Sequence, residues 1–74
     1  MPDSIQGSLA KRVKALRAEK GLTQERLADA SGLHVTYIAG IESGRRNPSL
    51  KSLAALARGF GIAVAELLEG VGVA

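Results

Sequence analysis

The chain has no cysteine and a single histidine, His34, in 74 residues. Neither a disulfide framework nor a structural zinc site can therefore brace it. Its start lacks the charged and apolar regions of a signal peptide, and no uninterrupted apolar run approaches the roughly 18 to 20 residues that span a bilayer. The expectation is a soluble cytoplasmic protein with no membrane partner. Also missing are a paired acid cluster, a glycine-rich phosphate loop after a strand, any β-hairpin pattern, any repeat and any low-complexity segment. These absences argue against an enzyme and against a cofactor, a metal or a small-molecule ligand.

Residues 1–74 make one domain, and a chain of this size buries only about 60% of the surface its unfolded form exposes. Self-association is the common remedy. The net charge of +3 is unevenly laid out, because all ten Lys and Arg lie between Lys11 and Arg58, while the last 16 residues carry only Glu66 and Glu69. A basic body with an acidic tail suits a polyanionic partner.

Apolar periodicity is helical throughout. Leu9, Val13 and Leu16 predict a helix over 8–20 that Gly21 stops; residues 1–6 either extend it or are disordered. Thr23 caps a second helix over 24–31, closed by Gly32. A third, over 34–43, places Ile38 and Ile41 on one face. Asn47-Pro48-Ser49 is a turn and cap before a fourth helix, whose stripe is Leu50, Leu53, Leu56 and Ala57 and whose end is set by Gly59 and Gly61. A short fifth helix covers 62–68, and 70–74 is a frayed tail.

A helix of about eight residues, a glycine turn and a helix with two inward isoleucines form a helix-turn-helix over about 24–43. Ala28 is small where the helices cross, Gly32 makes the turn, and Leu27, Leu33, Ile38 and Ile41 anchor both helices. An ordinary αα-hairpin does not require these residues at these offsets. Stepping 100° per residue from Ile38 and Ile41 puts Thr36, Ala39, Gly40 and Ser43 on the far side, with Val35 and Tyr37 flanking. That face is small and uncharged. Gly40 costs about 1 kcal/mol against alanine inside a helix, and close docking in a DNA major groove would justify it.

The segments "SLAKRVKALRAEKG", "LTQERLADASGL" and "YIAGIESGRRNPSL" resemble the lambda-repressor-like helix-turn-helix regulators, above all the small controller proteins of restriction–modification systems. The resemblance covers nearly the whole chain. It implies an all-α, compact five-helix bundle in a bacterial nucleoid-associated, sequence-specific transcriptional regulator of its own promoter, activator or repressor, bound to double-stranded DNA. Thr36 can hydrogen-bond a base edge or touch a thymine methyl, and Val35 can do only the latter. Related repressors often carry glutamine or arginine where this chain has Val35, so direct readout is sparse and DNA shape carries much of the specificity. Arg46 is the candidate for a guanine contact and Arg45 for a phosphate. Gln24, at the start of the second helix, presents side-chain and backbone amides to phosphate. Asn47, Ser49 and Lys51 surround the start of the fourth helix, where capping and phosphate binding are compatible jobs. His34 serves as a cap or phosphate contact, Ser43 lies on the outward face, and Tyr37 packs its ring and offers its hydroxyl to the DNA backbone. The resemblance further implies an ion pair between Arg17 and Glu42. Glu25 and Asp29 are either solvated surface or a contact for RNA polymerase.

Leu56, Phe60, Ile62, Val64, Leu67 and Leu68 exceed what two terminal helices need for so small a core. A homodimer through helices at about 50–69 is therefore expected, with Leu56, Phe60, Ile62, Val64 and Leu67 at its interface. It would set two recognition helices about 34 Å apart on a pseudo-palindromic operator. The competing assignments are an antitoxin-type or phage-type repressor of the same fold. Membrane-surface binding by the first helix fails because the core needs its apolar face.

Overall fold

Three N-caps set where the chain turns into helix. In the computed structural model, which describes residues 4–73, the side chains of Ser4, Thr23 and Ser49 each accept a hydrogen bond from the backbone N–H three residues on, opening α1 (Ile5–Lys20), α2 (Gln24–Ser31) and α4 (Leu50–Phe60). Between them lies α3 (Val35–Glu42), and α5 (Val64–Leu67) is a single turn. There are five helices and no strand among the described residues.

Helix α1 begins at Ile5, before the 8–20 span read from the pattern, because Ser4 caps it. Residues 1–3 and Ala74 lie outside the described residues. His34 precedes α3 as its N-cap residue without a side-chain cap bond, and Ser43 follows as its C-cap. Gly59 does not end α4. It sits within the helix, where an added Cβ would lie 3.0 Å from the Ser31 Cβ and 3.2 Å from Ser31 backbone atoms. Gly59 thus lets α2 and α4 cross almost backbone to backbone, which explains a helical glycine despite its propensity cost.

The core is built by every helix: Leu9, Val13 and Leu16 of α1, Leu27 of α2, Ile38 and Ile41 of α3, Leu56, Ala57 and Phe60 of α4, and Leu67 of α5. Leu56 and Leu67 are 0% exposed and Phe60 is 5% exposed. Their assignment to a dimer interface is therefore corrected, since a single chain already consumes their surface. The excess of apolar side chains was overestimated because α5 is one turn and contributes little else. Leu50 errs in the other direction, being 74% exposed rather than part of the core stripe.

The tail is docked, not frayed, through Gly72. Gly72 N–H donates to the Ser8 Oγ at 3.1 Å, and Val71 packs against the core. Arg12 adds a second tie, its Nε and Nη2 donating to the Leu67 and Glu66 carbonyls at 3.1 and 2.7 Å. These carbonyls end α5, where an arginine both fills orphan acceptors and suits the helix dipole.

Candidate nucleic-acid interface

Helix α3 is fixed from behind. The φ of +77° at Gly32 turns the chain after α2, and Ile38 and Ile41, at 0% and 1% exposure, hold α3 against the core. At its C-terminal end Glu42, with a side chain only 5% exposed, accepts hydrogen bonds from Arg17 Nε at 2.6 Å and Arg17 Nη2 at 2.9 Å. Gln24 Nε2 adds a third at 3.1 Å. Burial pushes the Glu42 carboxyl up, but the bonds from Arg17 and Gln24 and the Arg17 charge outweigh it and hold the group below its usual value. Arg17 is raised above its usual value by its bond to Glu42. One carboxylate thereby joins α1, α2 and α3.

This arrangement corrects the reading of Gln24. One N–H of its side-chain amide is committed to Glu42, a partner 18 residues away that spacing along the chain could not reveal, which leaves the second N–H and the backbone amides opening α2 to face an anion. Tyr37 is also committed elsewhere. Its hydroxyl donates to the Ser52 Oγ at 3.3 Å, and the Ser49 hydroxyl donates to the same oxygen at 3.2 Å. The hydroxyl therefore secures α3 to the start of α4 rather than pointing to a DNA backbone.

The solvent side of α3 presents exposed Thr36 and Ser43, with Val35 and Ala39 partly covered. Gly40 is not part of that open strip. It is buried beneath Arg46: an added Cβ would lie 2.6 Å from the Arg46 Cγ, and the Arg46 guanidinium carbon stands 5.5 Å from the centre of the Tyr37 ring. A helical wheel cannot foresee this, because it omits the loop that folds back. The Ser43 hydroxyl donates to the Gly40 carbonyl at 3.0 Å and accepts from Arg45 Nε at 3.0 Å. Arg45, Arg46, Asn47, Ser49 and Lys51 are all exposed in the segment that follows α3, so a cationic border runs along one end of the small-residue strip. His34, Glu25 and Asp29 are exposed too, and with Val35 they line a shallow groove beside the α2–α3 turn.

Roles that the sequence reading did not assign are those of Arg12, Ser8 and Ser52. Arg12 had a signal, since it lies three residues after Leu9 and four before Leu16, on the inward stripe of α1. Ser52 had one as well, standing three residues after the cap Ser49.

Among the described residues no cluster of His, Asp or Glu could hold a metal, and no helix is long and apolar enough to cross a membrane. What the elements do provide is a firmly seated second helix of a two-helix pair, bare on its outer side and bordered by cations. That is the architecture of a helix-turn-helix protein.

The chain belongs to the helix-turn-helix family, whose model matches residues 13–67. It is 46% identical over 63 residues to the HTH-type transcriptional regulator DdrOP3 of Deinococcus deserti, covering 85% of this chain and 49% of that one. The chain thus spans about half the length of that relative. With the control protein C.SmaI of Serratia marcescens it shares 40% identity over 78 residues, and 97% of this chain and 93% of that one are covered. The controller protein C.Esp1396I, solved as a tetramer in complex with its natural 35 base-pair operator, superposes with a TM-score of 0.85 at 36% identity, over 95% of this chain and 92% of that chain. The family is one of DNA-binding regulators, and the all-helical fold is that of the controller proteins.

Proposed function

We propose that this chain is a sequence-specific DNA-binding transcriptional regulator of the restriction–modification controller kind, acting as a homodimer on a pseudo-palindromic operator. The observation that carries it is the outer strip of α3, Val35, Thr36, Ala39 and Ser43, free of large or charged groups and bordered by Arg45, Arg46 and Lys51. A duplex admits such a rod into its major groove while the cations meet phosphates. Thr36 and Val35 touch base edges, Arg46 reaches a guanine, and Arg45, Lys51, Asn47, Ser49, His34 and the first amides of α2 position the backbone.

Size argues for two copies. The described chain extends at most 33 Å and carries one α3, whereas successive half-sites lie about 34 Å apart. The face best suited to a second copy is the apolar surface of Leu50 and Ile5, 74% and 63% exposed. Ile5 borders a groove of about 180 Å3 lined also by Leu9, Pro48, Leu53, Leu68 and Val71. Ile62 and Val64, half-buried, remain candidates as well. Exposed large apolar side chains of this kind suit an interface with a second copy. Glu25 and Asp29, exposed on α2, are the candidates for an RNA polymerase contact, the alternative being a solvated surface. Lysines at both positions should abolish activation while operator binding persists.

Selection of duplexes from a random pool, followed by footprinting, tests the proposal. Two symmetric protected segments one helical turn apart are expected, and enrichment of no sequence overturns it. The likeness to DdrOP3, a transcriptional regulator, favours a second reading, a regulator outside any restriction–modification system. A neighbouring endonuclease and methyltransferase gene pair decides for the controller reading.

A further inference from the structure

We propose that Gly40 is a positioning residue of the DNA interface that acts through Arg46: its bare Cα is a notch in α3 that seats the arginine stem, so that the guanidinium is held over Tyr37 before DNA arrives. This deepens the DNA-binding reading and rests on it.

Four observations converge on Gly40. The three nearest atoms to an added Cβ all belong to Arg46, the Cγ at 2.6 Å, the Nε at 3.3 Å and the Cδ at 3.5 Å. The first distance is too short for any side chain, so the present arginine conformation requires glycine. The Gly40 carbonyl accepts from the backbone N–H groups of Arg45 and Arg46 at 3.0 and 3.2 Å. It also accepts from the Ser43 hydroxyl, which in turn holds the Arg45 Nε. The ring under the guanidinium is itself fixed, because the Tyr37 hydroxyl is bonded to Ser52.

The physical gain is conformational. Arginine loses rotamer freedom whenever it makes a defined contact, and a planar fork already ordered in the free protein forfeits less of it on binding. A base contact by Arg46 benefits most, because bidentate recognition tolerates little angular error, whereas a phosphate contact is more forgiving. Glycine at position 40 therefore trades helix propensity for readout. Substituting alanine leaves the carbonyl hub in place and removes only the notch, which makes the role separable from folding.

The experiment uses the full chain, the duplex it selects from a random pool, and a random-sequence duplex of equal length. Gly40→Ala is expected to weaken binding to the selected duplex about tenfold, equivalent to about 1.4 kcal/mol, with random-duplex affinity and melting temperature unchanged or raised. In an Arg46→Ala background the same substitution should have no effect on either duplex. A loss of equal size in that background would overturn the proposal and show that the glycine itself approaches DNA. Unchanged selective affinity in the single variant would overturn it as well. In the free protein, relaxation of the Arg46 Nε–H should report an ordered side chain that Gly40→Ala releases; an equally mobile group in both refutes the seating without reference to DNA. If the native chain enriches no duplex, the DNA-binding reading fails instead, and the relaxation result still decides the seating.

Discussion

Arg17→Ala isolates the physics that seats α3. Glu42 is the buried charged side chain among the described residues, and it accepts three hydrogen bonds, two of them from Arg17. Alanine at 17 leaves the carboxylate with the Gln24 hydrogen bond and only the weaker influence of the Lys14 charge. Removing one partner of a buried pair costs about 3 to 5 kcal/mol, a large part of the roughly 5 to 15 kcal/mol that a domain has in total. At about 4 °C or more per kcal/mol for a domain this small, the melting temperature at neutral pH should fall by about 12 °C or more. The double variant Arg17→Met with Glu42→Leu strands no charge and should recover most of the loss.

Acid gives a second, independent signature. In the native protein Glu42 titrates below its ordinary value of 4.5, so the native state binds its proton less readily than the unfolded chain does. That contribution is complete above the unfolded value and disappears as pH falls through the lower, folded one. In Arg17→Ala the burial is no longer outweighed and the carboxyl shifts upward. Its penalty is then present at neutral pH and relieved as pH falls through the raised value. Circular-dichroism melts from pH 7 to pH 4 should therefore show the two proteins converging. A gap that stays constant with pH, or melting temperatures within about 2 °C of each other at neutral pH, would refute the account.

Gly59→Ala should destabilise by about 1 to 3 kcal/mol, because a Cβ against the Ser31 backbone outweighs the roughly 1 kcal/mol of helix propensity gained; a urea midpoint at or above the native one would show that α2 and α4 yield. Arg12→Met removes both bonds to the end of α5 and should cost about 1 kcal/mol, with faster amide exchange confined to α5 and the tail. Uniform or unchanged protection counts against that tie. Leu50→Glu should shift sedimentation from dimer to monomer without lowering the melting temperature, since the side chain is 74% exposed; a persisting dimer moves the interface elsewhere. Lys51→Ala should reduce the slope of log affinity against log salt by about one on any duplex, and an unchanged slope removes it from the phosphate contacts.

Local signals made the helices legible. Thr23, Gly32 and Ser49 act where their chemistry demands, and the inward isoleucines of α3 follow from spacing alone. Chain reversals hid the rest. Gln24 and Tyr37 read as groups offered to DNA because nothing near them in sequence competes for their polar atoms; Glu42 and Ser52 do so only after folding. Gly40 shows the same limit, its occupant arriving from six residues downstream across the end of a helix. Counting apolar residues in the last two helices overestimated the interface, since a core this small consumes Leu56, Phe60 and Leu67. Of the exposed apolar groups, Ile5 and Leu50 lie at helix starts where periodicity is least informative.

A carboxylate gripped from two other helices leaves the angle between α2 and α3 without a soft coordinate. Changing that angle means stranding the anion, so the reading head behaves as a stiff tool whose fit to an imperfect site must come from the duplex bending toward it. Selection acting on such a molecule would retune the surface side chains or the number of copies per cell far more readily than its shape.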